Sequence, residues 1–263
     1  MKICCWNVRR ATASSDAWGI LDEISPDLAL LQEVGSIPQF LFDKYQAKIA
    51  PAVKKDGAAQ NFHTAILVRG EIGESIHFRT PWEWVNRELE FFAGNIVACH
   101  VKVNGTPLRA MSVHSPAWPV DAGRMRGVDV SVLKLAGKPE IWVTEIIWAA
   151  LHDHSSNSEI PYVVGGDLNA SETFDLTWGS GNKEVLDRMA ALGFTECLRH
   201  SIGALEPTFR NPRDGKVIHK IDHLFVSASL EENLTRCHTY EPERIFNQSL
   251  SDHLPIVAEF KGI

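Results

Sequence analysis

The chain has 263 residues, 44% of them hydrophobic and 22% charged, with a formal net charge of −7. That balance excludes a disordered or fibrous chain and counts against coating nucleic acid by bulk electrostatic attraction, though it leaves room for a local basic groove or a bound divalent cation. Five cysteines, with Cys4 and Cys5 adjacent, form neither a disulfide framework nor CxxC metal spacing. No run of about 18 apolar residues spans a membrane, and the chain runs from Met1 straight into a strand-like segment. The reading is a cytoplasmic monomer forming one domain over residues 1–263.

From the N-terminus, KICCWNV (2–8) predicts a strand, DAWGILDEI (16–24) a helix and DLALLQEV (27–34) a second strand. HTAILVRG (63–70) follows as a strand. NIVACHVKV (95–103) and PLRAMSVHS (107–115) flank Asn104-Gly105, the strongest hairpin signal in the chain, so residues 95–115 are expected to be antiparallel. Helical spacing returns in PEIWVTEIIWAALHDH (139–154) and NKEVLDRMAALGF (182–194), where Gly193 supplies a C-terminal stop. PYVVGGDLN (161–169), IDHLFVS (221–227) and LPIVAEF (254–260) are the remaining strands. Crossover helices together with hairpins imply mixed sheets. Segments 52–62, 71–94 and 115–138 are the least regular and are expected to be loops on a compact scaffold.

Polar residues close or open these apolar strands in six separate places. Asn7 ends CCWNV, Glu33 ends ALLQEV and His114 ends AMSVH. Asp167 and Asn169 end GGDLN, two residues apart and so on one face of an extended chain. Asp222 opens IDHLFVS, and Asp252-His253 stand directly before LPIVAEF. Each alone reads as a turn residue or a solvated strand end. Together they place acids, amides and imidazoles where several chain segments of an α/β scaffold reach one ligand.

The chemistry follows from the residue types. Glu33 and Asp252, with the carboxamide oxygen of Asn7 and with Asp167, are hard oxygen ligands suited to Mg2+ or Mn2+. His253 with Asp222 makes a base whose tautomer a carboxylate holds, with water in place of a serine. Ionised Asp167 is the alternative group to orient or deprotonate that water. Asn169 and His114 are donors for phosphoryl oxygens as charge develops there.

WN at 6–7, LQEV at 31–34, SVHSP at 112–116, GGDLNA at 165–170, LGFTECLR at 192–199, PTF at 207–209, KIDHLFVS at 220–227 and SDHLPIVAEF at 251–260 together resemble the metal-dependent endonuclease/exonuclease/phosphatase family, which includes deoxyribonuclease I-like and exonuclease III-like enzymes. The resemblance implies an α/β fold, a four-layer α/β/β/α sandwich of two packed mixed sheets flanked by helices. It implies a metal-dependent phosphoric ester hydrolase in which Asn7 and Glu33 serve the metal, Asp252 supports the metal or the water, Asp167 and Asn169 handle nucleophile and phosphate, Asp222 orients His253, and His114 contacts phosphate. It does not choose between one and two metals, nor between Asp167 and His253 as the base.

Substrate discrimination falls to the loops. Segment 115–138 follows His114 and offers Trp118, Arg124 and Arg126 to a nucleic acid; TPWEWVNRELEFF (80–92) offers Trp82, Trp84, Arg87 and Phe91 as walls; Arg210 stands near the expected rim. The stretches GGDLNAS and HKIDHLF depart from the inositol polyphosphate 5-phosphatase pattern and lack the Trp-Arg pair of abasic-site enzymes. The preferred reading is a nuclease cleaving DNA or RNA. The runner-up is a phosphatase or phosphodiesterase of a small or lipid-linked phosphate, sphingomyelinase-like, and the third is a catalytically silent binding protein of the same fold.

Overall fold

Two six-stranded sheets carry almost all of the extended chain in the computed structural model, which describes residues 1–155, 159–178 and 181–263. In chain order the strands are β1 (Lys2–Asn7), β2 (Leu28–Val34), β3 (Gln46–Val53), β4 (Ala59–Val68), β5 (Gly70–Ser75), β6 (Ile96–Val103), β7 (Thr106–His114), β8 (Tyr162–Asp167), β9 (Phe194–Glu196), β10 (Phe209–Arg210), β11 (Val217–His219), β12 (Asp222–Ser227), β13 (Leu234–Thr239) and β14 (Ile256–Phe260). One sheet runs β13-β14-β1-β2-β4-β3, the other β5-β6-β7-β8-β12-β9, and β10 pairs with β11.

In each large sheet only the central pair is parallel, β1 with β2 and β7 with β8. A parallel pair needs a crossover, and helices Ala17–Ile24 and Val143–Ser155 provide them. The central strands read as unbroken apolar runs because both of their faces are covered. Ile3, Cys5, Leu28 and Leu30 pack between the sheets against Val163 and Leu224, while their neighbours Cys4, Trp6, Ala29 and Leu31 pack outward under Trp18 and Leu21. On the second sheet Met111, Val113 and Val164 meet Val85, Ile146 and Ile147. Four layers result, as the resemblance implies.

The Asn104-Gly105 hairpin forms as expected, with φ 50° and 86° and β6 paired with β7 from Ile96↔Val113 to Val103↔Thr106. Gly193, at φ 82°, follows the helix Asn182–Ala191. Segment 115–138 carries turns only. Segment 80–92, expected as a loop, is instead the helix Glu83–Phe91, and burial of Trp84, Val85 and Leu89 in the outer core is the reason. The expected irregular stretches 52–62 and 71–94 also contain the start of β4 and most of β5. Gly166 is required by packing: a Cβ there would lie 1.8 Å from the Val113 carbonyl oxygen of the neighbouring parallel strand.

Candidate active site

The carboxyl ends of the four central parallel strands meet at one rim. Asn7 closes β1, Glu33 is the penultimate residue of β2, His114 closes β7 and Asp167 closes β8. The Asn7 carboxamide nitrogen donates to Glu33 Oε1 (3.3 Å) and Asp167 Oδ2 (3.1 Å), and its oxygen accepts from the Arg9 N–H (3.0 Å). His114 Nε2 lies 3.6 Å from Glu33 Oε1. Glu33 takes φ 51° where the β2–β4 register shifts, a strained turn that aims its carboxylate at the rim.

Burial acts to raise the Glu33 carboxyl, yet His114, Asn7 and His253 outweigh it and hold it at about 2. Asp167, 3% exposed, goes the other way: burial lifts it to about 6 and Asp222 adds to the lift, while His253 and His114 oppose it.

The second half of the site arrives on antiparallel neighbours. In the β8–β12 register Asp222 pairs with Asp167, so β12 begins where β8 ends. Fully buried Asp222 accepts from Thr208 Oγ1 (2.7 Å), and both of its oxygens lie 3.0 Å from His253 Nδ1. In that contact His253 Nδ1–H donates to the carboxylate, which turns Nε2 toward the rim, 3.9 Å from Asp167 Oδ2 and 3.9 Å from Asp252 Oδ1. Burial works against a charged His253, but Asp222, Asp167 and Asp252 reverse it and raise the ring to about 10. Asn169, at φ 48°, donates its backbone N–H to Asp167 Oδ1 (3.0 Å) and its carboxamide to the Ser115 carbonyl (2.7 Å). Asp252 lies 3.8 Å from Arg9 Nε and is one-fifth exposed.

Asp167, Asp222 and His253 each offer a ligand atom within 4.8 Å of the others. Asp222 is nevertheless spent on His253 and Thr208, so the oxygen donors left for a hard cation are Asp167, Glu33 and Asn7, with Asp252 beyond His253 Nε2. A carboxylate that stays ionised beside one raised by burial is a donor set that a divalent cation satisfies.

The eight catalytic and metal candidates therefore form one contiguous constellation. The four proposed substrate residues do not join it equally. Arg124 is committed to Glu88, which it grips with two bonds of 2.9 Å while lying 3.8 Å over the Phe91 ring. Arg210 donates to the Phe246 carbonyl (3.1 Å) and covers the Phe246 ring, and its backbone N–H donates to the Asp252 carbonyl (2.8 Å). Trp118 is half-buried against Phe92, 5.7 Å between ring centres, and Arg126 is exposed on the 115–138 loop. Of the other proposed walls, Trp84 is buried in the core.

Several contributors escaped sequence reading. Asn95 holds the His114 carbonyl (3.0 Å), Ser251 ties the His253 N–H (3.0 Å) to the Asn7 carbonyl (2.7 Å), the Phe209 ring packs at a tilt against the His253 ring with centres 4.9 Å apart, and Arg9 and Arg10 stand at the rim. Ser251 and Thr208 lie inside the SDH and PTF motifs, which is the signal that points to them.

A family model described as the Endonuclease/Exonuclease/phosphatase family matches residues 4–253. No curated protein matches the chain by sequence. Among solved structures, an AP endonuclease from Archaeoglobus fulgidus superposes with TM-score 0.69 at 17% identity over 99% of both chains. A 3′ phosphatase from Neisseria bound to product DNA hairpin gives 0.68 at 18% over 99% of both. A mannosyl-6-phosphatase from Bacteroides thetaiotaomicron gives 0.58 at 18% over 98% of both. At these identities the likeness is one of fold.

Proposed function

The chain belongs to the endonuclease/exonuclease/phosphatase family, a family of phosphoric ester hydrolases, and on that premise we propose that it is a Mg2+- or Mn2+-dependent nuclease that cleaves a phosphodiester of DNA or RNA by attack of an activated water. The observation that carries the reading is the line from Asp222 through His253 to Asp167, lying against the Asn7–Glu33 pair at one rim.

In this mechanism Asp167, ionised at neutral pH, orients the water and takes its proton. His253, charged through its contact with Asp222, presents Nε2–H to the phosphoryl oxygen or to the departing alkoxide. Asn169 and His114 flank the phosphate as donors. Glu33, Asn7 and Asp167, supported by Asp252, would hold the cation, which when bound supplies Lewis-acid neutralisation of charge on the phosphoryl group.

Arg9 and Arg10 favour a substrate with more than one phosphate. Both follow Asn7 in the left-handed region, at φ 47° and 59°, and their side chains are 49% and 60% exposed beside Asp252 and Glu33. Guanidinium groups next to the reacting centre suit the phosphates flanking a scissile one. The nucleic-acid substrates of the endonuclease and DNA-bound phosphatase neighbours support the same choice. A second reading, a phosphatase or phosphodiesterase of a small or lipid-linked ester, is favoured by the commitment of Arg124 and Arg210 to internal partners and by the mannosyl-6-phosphatase neighbour. All five cysteines are unpaired and buried, which supports work in a reducing compartment such as the cytoplasm; one domain and a monomer are part of the same proposal. Among the described residues no helix is long and apolar enough to cross a membrane.

The test is a panel of duplex and single-stranded DNA, RNA, an abasic duplex, a sphingolipid and a generic phosphodiester, each with Mg2+, Mn2+ or chelator. Cation-dependent cleavage of a polynucleotide that slows with added salt is the expected result, abolished in Asp167→Asn and His253→Ala. Salt-insensitive turnover of a small ester alone would replace the nuclease by the second reading.

A further inference from the structure

Behind the active site lies a second cluster of polar groups that the proposed chemistry does not use. Along β12 the side chains alternate: Asp222 shares its face with Leu224 of the inter-sheet core, whereas His223 turns to the other face and stacks on Phe225, 5.7 Å between ring centres. Lys220, 1% exposed, reaches into this rear region and uses its ammonium three times. It donates to Glu196 Oε1 (2.9 Å), to the Asp222 carbonyl (2.9 Å) and to His223 Nδ1 (3.1 Å).

Those contacts fix a chain of consequences. Burial and the neighbouring ammonium lower His223 to about 4, so its ring is neutral. A neutral ring that accepts at Nδ1 carries its proton on Nε2, which donates to the Ala170 carbonyl (2.9 Å). Ala170 follows Asn169, whose backbone turns in the left-handed region at φ 48°, so a bond to the Ala170 carbonyl holds the chain where it leaves that turn. One buried ammonium thus grips the main chain of Asp222 directly and the turn of Asn169 through an imidazole. A cavity of about 340 Å3, lined by Glu196, Arg199, Lys220, His223 and Phe225 among others, adjoins the cluster from outside.

We propose that Lys220 and His223 are positioning residues: a rear brace that sets Asp222 and Asn169 in register for the reaction without touching the substrate. The inference rests on the reading of the site given above. It requires that loss of the brace misplace groups by fractions of an ångström, which reduces turnover and leaves substrate binding alone.

Lys220→Met keeps an unbranched apolar stem one atom shorter than lysine and removes the ammonium with its three hydrogen bonds. Its kcat on the best-cleaved substrate of the panel is expected to fall about 10- to 100-fold with KM unchanged. The same substitution in an Asn169→Ala background should cost clearly less, because part of its route is already gone. Lys220→Arg should restore most of the loss, since the adjoining cavity has room for a guanidinium. Should Lys220→Met fail to fold with Glu196 left unpaired, Lys220→Met/Glu196→Gln removes both charges and is read in its place. Amide hydrogen exchange at residues 168–171 gives a readout independent of turnover, and faster exchange is expected in Lys220→Met and His223→Leu.

Equal costs in the two backgrounds, a loss confined to KM, or unchanged exchange at 168–171 would each overturn the brace. If Asp167→Asn is as active as the wild type, the reading of the site has failed. If Asp167→Asn is inactive and Lys220→Met runs at full speed, the brace alone has failed.

Discussion

Asp222→Asn isolates the charge beneath His253 while keeping the shape and the Thr208 hydrogen bond. In the wild type both carboxylate oxygens lie 3.0 Å from His253 Nδ1, Asp222 is fully buried and His253 nearly so. At an effective dielectric constant of about 20, unit charges at that separation attract by roughly 5 kcal/mol. Against the opposing effect of burial, that attraction, with Asp167 and Asp252 adding to it, lifts His253 to about 10. With the charge removed, burial is the leading influence and it lowers the imidazole, so the ring of the variant should be neutral at pH 7. A ring raised in the folded state contributes stability that is whole below pH 6.5 and fades as pH climbs through about 10. The variant should therefore be about 3–5 kcal/mol less stable at neutral pH, and the gap should narrow as pH rises toward 10. Turnover should fall about 100- to 10,000-fold. Titration of the His253 ring by NMR, urea melts between pH 6 and 10 and kcat on the panel substrate measure these three effects. A variant whose His253 stays protonated at pH 8, or whose kcat is within threefold of wild type, would refute the assignment of Asp222 as its partner.

Three further outcomes are expected. Glu33→Ala should shift the metal titration of activity to higher concentration while a saturating cation restores much of kcat; an unmoved curve removes Glu33 from the ligands. Arg124→Ala strands Glu88, 3% exposed, without its bidentate partner, and should lower stability by about 3–5 kcal/mol in denaturant melts with KM on nucleic acid unchanged. A raised KM at wild-type stability would return Arg124 to the substrate. Gly166→Ala places a methyl against the Val113 carbonyl and should cost about 4 kcal/mol or more, or prevent folding, whereas a soluble variant melting with the wild type would show that β7 and β8 can move apart.

The site was more legible in sequence than the sheets around it. Asn7, Glu33, His114 and Asp167 stand at the ends of strands that are mostly apolar and buried, and a polar group in such a place needs a partner or a use. The strands missed, β3, β5, β9, β10, β11 and β13, are short or lie at sheet edges, and much of their surface is half-buried or exposed. They show neither clean alternation nor an apolar run. The helix Glu83–Phe91 was hidden because its aromatics suggest an exposed wall, yet Trp84, Val85 and Leu89 face the outer core. Arg124 and Arg210 illustrate the sharpest limit. Composition marks them as cations available to phosphate, and only tertiary structure reveals Glu88 and Phe246 as their partners.

Topology explains why residues so far apart in the chain converge. In each sheet the central parallel pair ends at the same rim, which delivers Asn7 and Glu33 from one sheet and His114 and Asp167 from the other. The antiparallel neighbours begin where those strands end. β12 starts with Asp222 opposite Asp167, and β14 runs back along β1 from just after His253, whose carbonyl accepts from Trp6 Nε1 (2.9 Å). Asn7, Glu33, His114, Asp167 and Asp222 are thus placed at the end of a parallel strand or at the start of an antiparallel one and are oriented by sheet register, while Asn169, Asp252 and His253 stand in the segments just after β8 and just before β14. A slip of one residue between β8 and β12 would exchange Asp222 for His223 on the inner face and leave His253 without a carboxylate. Register, held between β7 and β8 by the Gly166 approach to Val113 and between β8 and β12 by the burial of Leu224 in the inter-sheet core, is for that reason as much a part of the proposed catalytic apparatus as the acids themselves.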